Sequence, residues 1–166
     1  MPQPHELSAQ ELLHAYRNKT LSPVEATRSV LEHIERWEPH LKATYALDPE
    51  GALAMARASE ARWMKGEPQS AGGYTLDGVP ATIKENIATR GTPIPLGTAA
   101  TDLTPAAADA PPAARMREAG AVLLGKTTMP DYGMLSSGLS SFHELTRNPW
   151  DLSLIHISEP TRLRRI

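Results

Sequence analysis

Leu76-Asp77-Gly78-Val79-Pro80-Ala81-Thr82-Ile83-Lys84-Glu85-Asn86 is the stretch whose reading decides the fold of this chain. It places a short apolar run, Val79 to Ile83, directly after a glycine turn and ends it on a lysine. Such a run predicts a largely buried strand. A cationic Lys84 beside it needs either a path to water, along which its aliphatic stem snorkels, or a lowered pKa. The pattern alone leaves both readings open.

Working outward, Ala121 to Leu124 predicts a second short buried strand. The helix before it, over roughly Ala113 to Ala119, ends at Gly120, where a glycine just past a helix end is expected. Arg90 to Ala113 is rich in Pro, Thr and Ala and reads mostly as loop. Two apolar strands with a helix between them fit a βαβ crossover, so the class is α/β. Upstream, residues 1–66 read as helical. Ser8-Ala9-Gln10-Glu11 and Ser22-Pro23-Val24-Glu25 have capping-box spacing, and Pro23 takes the favoured first helical position. Val24, Thr27, Val30, Leu31, Ile34 and Trp37 then recur as one buried helical stripe. A third helix begins at Asp48-Pro49 and runs toward Gly66, and Glu67 to Tyr74 predicts a flexible connection.

Composition narrows the function classes. The 166 residues are 40% hydrophobic, enough for one domain's core. Seventeen basic residues stand against nineteen acidic ones, a formal charge of −2, which gives no sign of nucleic acid as a partner. Without cysteine there is neither a disulfide framework nor a thiolate metal site. No basic leader and no long apolar span is visible, so no membrane partner is expected and a cytoplasmic protein is the default. His5, His14, His33, His40, His143 and His156 lack metal-ligand spacing, and each reads as a surface or satisfied core histidine. Asp48, Asp102 and Asp109 read as turn or cap residues.

Gly120 to Thr127 formally satisfies Gly-x4-Gly-Lys-Thr, the pattern of a phosphate-cradling loop. Such a loop needs a strand before its first glycine and a helix straight after Lys-Thr. Here a helical segment precedes, the four intervening residues are strand-like, and Met129-Pro130 interrupts any immediate helix. A nucleotide-binding module is one alternative function for the chain, and a non-catalytic interaction domain is another.

Three blocks together resemble the first half of an amidase signature enzyme: Leu76 to Asn86, Ala119 to Met129, and Thr146-Arg147-Asn148-Pro149-Trp150-Asp151. The resemblance runs from the N-terminal helices through Asp151. It implies N-terminal helices leading into the first strands of a mixed amidase-type sheet, which would here be incomplete. It also implies hydrolysis of a small-molecule amide by a Ser, cis-Ser, Lys triad. Lys84 matches the lysine of Gly-x-Pro-x-x-x-Lys, the base that draws a proton through a bridging serine from the nucleophile. With an ordinary pKa near 10.4, about one lysine in 2,500 is neutral at pH 7, so a useful base needs a shift of roughly three units, about 4 kcal/mol. The resemblance further implies that Met134, Ser136 and Ser137 contact substrate along the acyl side. It calls for no metal and no organic cofactor, and it leaves the oligomeric state open, a homodimer included. Gly78 and Gly125 match family glycines at tight turns. Pro111-Pro112 replaces a stretch that in many relatives continues a helix toward Arg115. Residues around Met134 depart from the pattern of transamidosome A subunits, which favours a stand-alone amidase.

After Asp151 the chain departs from the family. Relatives continue into Gly-Gly-Ser-Ser-Gly-Gly-Ser, which carries the bridging serine, with the nucleophile further on. Residues 152–166 instead read Leu-Ser-Leu-Ile-His-Ile-Ser-Glu-Pro-Thr-Arg-Leu-Arg-Arg-Ile, resembling a translated sequencing adapter. Without glycine this tail cannot form the oxyanion turn, so Ser153 and Ser158 are not promoted to nucleophile. Residues 1–151 are therefore expected to be a truncated N-terminal part of an amidase domain, 152–166 a non-native tail, and the chain as written inactive.

Overall fold

The structure is a computed structural model, which describes residues 2–134 and 138–152. Both predicted capping boxes form. Ser8 Oγ accepts the Glu11 N–H at 3.3 Å and Ser22 Oγ the Glu25 N–H at 3.1 Å, while the two glutamates return to the serine N–H groups. They open α1 (Ala9–Arg17) and α2 (Pro23–Leu41). Asp48 caps α3 (Pro49–Lys65) through the Gly51 N–H at 2.9 Å, and a left-handed Gly66 ends it.

Between α2 and α3 lies β1 (Thr44–Tyr45), inside the region expected to be helical throughout. Two residues are too few to display a period. They become a strand only by antiparallel pairing, Thr44 with Thr127 and Tyr45 with Lys126, across more than eighty residues of chain. β2 (Pro80–Lys84) and β3 (Val122–Thr127) run parallel, joined through α4 (Pro111–Glu118), as the βαβ reading expects. The sheet order is β1-β3-β2, so the sheet is mixed. α4 begins earlier than expected, because Ala110 is an extended N-cap and both prolines fit the first turn, where a missing N–H costs nothing.

Helices cover both faces of the sheet. Val122 and Leu124 pack on Ala52 and Ala56 of α3 and on Val24, Val30, Leu31 and Ile34 of α2. Trp37, at the end of that stripe, is exposed. On the other face Ile83, Ala121 and Leu123 pack on Ala113 and Met116 of α4. β2 is less buried than the run Val79 to Ile83 suggested: Ile83 is buried, but Thr82 and Lys84 are exposed. It is an edge strand, and the residues that alternate away from Ile83 extend past the cover of the helices.

The connection at Glu67 to Tyr74 is pinned rather than loose. Ala71 and Tyr74 exchange backbone hydrogen bonds, and the Gln69 amide donates to the Arg117 and Glu118 carbonyls at 2.9 Å. Its Gly and Pro content marked a turn, but the contacts that hold it come from α4, distant in sequence. Among the described residues no helix is long and apolar enough to cross a membrane.

Candidate active site

The turn before β2 is fixed from three helices. Asp77 is fully buried, and its carboxylate takes two hydrogen bonds from Arg62, at 3.0 and 2.5 Å, and one from the Gln69 N–H at 2.8 Å. That pairing raises the pKa of Arg62 through its hydrogen bonds to Asp77, so the guanidinium stays charged. The Asp77 carbonyl accepts the Trp63 indole N–H at 3.0 Å, and the next carbonyl, that of Gly78, accepts the Tyr16 hydroxyl at 3.0 Å. Gly78 sits at φ +84°, and a Cβ there would lie 2.7 Å from Ser59 Oγ and 2.8 Å from a Pro23 ring carbon. Only glycine meets both demands. The turn thus delivers β2 in one direction, and Lys84 arrives at its C-terminal end, paired in register with Thr127.

Lys84 is exposed. The buried lysine is Lys126. It is 2% exposed, its Nζ has no hydrogen-bond partner among the described residues, and burial lowers its pKa, opposed by the charge of Glu85. The two lysines lie on opposite faces. Tyr45, Lys126 and Ile83 form one cross-strand row, and Thr44, Thr127 and Lys84 form the next. The Gly120 to Thr127 stretch is the turn after α4 followed by β3, so no strand-loop-helix cradle exists for a phosphate.

Glu85, directly after Lys84, turns back under the Lys126 face and is fully buried. Its carboxylate accepts the Gly97 N–H at 2.5 Å and pairs with His143 Nε2. Tyr45 stacks edge-on against His143, and burial, reinforced by Glu85, raises its pKa. The sequence reading of His143 as a satisfied histidine holds, but its partner was invisible, being 58 positions away. Glu85 itself had a usable signal: alternation from buried Ile83 places it on the same, covered face.

Met134 is 83% exposed and belongs to a segment tied to this corner. Tyr132 N–H donates to the Leu96 carbonyl at 2.8 Å, Ser140 Oγ donates to the Gly97 carbonyl, and Ser141 Oγ donates to Asp131 at 3.0 Å. Residues 131–134 and 140–143 are therefore bonded to loop 95–98 or to Glu85 beside the end of β2, linking Met134 to Lys84 through Glu85. Ser136 and Ser137 lie outside the described residues. A groove of about 590 Å³ between the α1–α2 turn and α3, lined by Tyr16, Leu21, Arg57 and Trp63, does not reach Lys84, Glu85, Lys126 or Met134.

The Amidase family profile matches residues 25–156, five residues beyond Asp151. The glutamyl-tRNA(Gln) amidotransferase A subunit of Coxiella burnetii is 34% identical over 151 residues, covering 91% of this chain and 30% of that protein. A bacterial aryl acylamidase of the amidase signature family superposes with a TM-score of 0.78 at 33% identity, covering 88% of this chain and 30% of that one. The peptide amidase of Stenotrophomonas maltophilia gives 0.79 at 28% identity, covering 92% and 32%. The chain thus spans about 30% of the length of the curated relatives it matches. With most of α2, all of α3 and α4, the mixed sheet and the Gly-x-Pro-x-x-x-Lys strand in the matched region, this chain belongs to the amidase signature family.

Proposed function

We propose that the intact protein hydrolyses linear carboxamides, with Lys84 as the base of an acyl-transfer triad. Its bridging and nucleophilic serines lie, in relatives, beyond Asp151, and have no counterpart in this sequence. Neutral Lys84 Nζ takes a proton, through the bridging serine, from the nucleophile as that oxygen attacks the amide carbon. The C–N bond breaks and the amine or ammonia leaves with a proton; water then attacks the acyl ester and frees the carboxylate. Met134, Ser136 and Ser137 contact the acyl side, and the chemistry uses neither metal nor organic cofactor. The setting is cytoplasmic.

The observation that carries this reading is the position of Lys84: at the C-terminal end of a parallel strand, where open α/β sheets place their sites, with its head free of any ion pair among the described residues. A second reading, in which the chain belongs to the A subunit of a glutamyl-tRNA(Gln) amidotransferase, draws on the name of the Coxiella relative. The residues around Met134 favour the stand-alone enzyme.

As written, the chain has a base and no nucleophile, and a triad acts as a unit. Purified chain is expected to release no ammonia from simple carboxamides above a Lys84→Ala control; release above that control would overturn the expectation. A joined protein, in which residues 1–151 replace the matching part of the bacterial aryl acylamidase, is expected to cleave aryl acylamides. A folded joined protein without that activity would overturn the hydrolase assignment.

A further inference from the structure

We propose that Glu85 is a positioning residue for Lys84: its buried carboxylate, bonded to the Gly97 N–H and to His143, locks the turn after β2 and so sets the direction in which Lys84 leaves the sheet. The inference rests on the reading of Lys84 as the base. The observations are geometric. Glu85 is fully buried and His143 nearly so, and each is held from a different loop. The Glu85 N–H donates to the Thr127 carbonyl at 3.0 Å, and the Lys84 carbonyl accepts the Ile87 N–H at 3.0 Å, so Lys84 sits between two fixed points of one turn. Alternation sends Glu85 and Lys84 to opposite faces, and anchoring one orients the other.

Stability does not explain a carboxylate here. Desolvating it costs several kcal/mol, and apolar replacement of a buried ion pair is often neutral or better. What an apolar side chain cannot supply is direction: two acceptor oxygens aimed at two donors. Loop 95–98 shows the same constraint. A Cβ on Gly97 would lie 2.4 Å from the Pro130 carbonyl oxygen, so the donor that meets Glu85 is backbone pressed against the Met134 segment. The other groups facing the carboxylate are Lys126 of β3 and Tyr45 of β1.

The test uses the chain itself, by amide exchange and side-chain NMR. In Glu85→Leu the Gly97 amide should exchange about ten- to hundredfold faster, the loss expected for a hydrogen bond to a charged group, and the Ile87 amide should also exchange faster as its turn loosens. The Lys84 side-chain resonances should collapse toward free-lysine positions, while the Gly78 amide, bonded to Gly120 at the other end of β2, changes by less than about twofold. Glu85→Gln, which keeps an oxygen for Gly97, should recover part of that protection, and it carries the test if the leucine variant fails to fold. The titration of Lys126 should also move lower in Glu85→Gln, because the carboxylate that opposes its desolvation is gone. Unchanged Lys84 resonances in Glu85→Leu, or in Glu85→Gln where the leucine variant fails to fold, would overturn the proposal, as would equal loosening of Gly78. The two readings separate cleanly. If Lys84→Ala leaves the joined protein active while Glu85 variants still free Lys84, the base assignment fails and the positioning role stands. If Lys84→Ala abolishes activity and Glu85 variants leave Lys84 fixed, the positioning role alone fails.

Discussion

Two lysines in adjacent rows of one small sheet have opposite fates. Resemblance singles out Lys84, and the structure puts it in the row next to that of Ile83, on the opposite face. What the sequence could not show is that Lys126, not Lys84, is the desolvated one, because its cross-strand neighbours, Tyr45 of β1 and Ile83 of β2, are distant in sequence. Buried without a hydrogen-bond partner among the described residues, the Lys126 ammonium is an internal cost. Lys126→Met should therefore raise stability at pH 7 by about 1–2 kcal/mol in urea unfolding. The pH dependence has a definite sign. The folded pKa is depressed below 10.5, so between it and 10.5 the unfolded chain binds more protons and wild-type stability rises with pH. The advantage of the Met variant should accordingly shrink from pH 7 toward pH 10, and an advantage that grows would contradict the account. Above pH 10 Tyr16 acts in the opposite sense, since burial raises its pKa and the unfolded chain ionises first.

Elements whose cause is local were legible. Ser8, Ser22 and Asp48 start helices through bonds three residues away, and Gly66 and Gly120 close theirs with a positive φ. Ser22→Ala should cost about 1 kcal/mol of stability, read as a lower urea midpoint with an unchanged slope. β1 was illegible, because nothing but its pairing with β3 makes Thr44 and Tyr45 a strand. The pinning of 67–74 by α4 was hidden for the same reason. Gly78 joins the two levels: the glycine was visible, its obligation was not. Gly78→Ala should destabilise by about 2–4 kcal/mol, combining a left-handed φ with overlaps against Ser59 and Pro23. Thermal melts should show a loss several degrees larger than for Gly72→Ala, where the added carbon meets open space despite a similar φ. Equal losses at the two positions would mean that the packing around the Asp77 turn is softer than the geometry indicates.

At the scale of the molecule, helices on both faces and anchored turns present the end of β2 and the Met134 segment together, while the outer edge of β2 stays unpaired among the described residues. Pro80 at its start offers no N–H on that edge, a feature that limits pairing with stray strands. The α/β class and the crossover followed from two apolar runs and a helix between them. The loop contacts at Glu85 did not, because hydrogen bonds such as those of Gly97 and His143 leave no periodic trace. The central claim is that Lys84, exposed here and matched to the family lysine, carries the proton transfer, whereas the buried Lys126 carries none. The most direct measurement is kcat of the joined protein with Lys84→Ala and with Lys126→Met, each checked for a native melt. The account predicts a fall of about a thousandfold or more for Lys84→Ala and a change within about tenfold for Lys126→Met. Activity lost with Lys126→Met and kept near wild type with Lys84→Ala would contradict it.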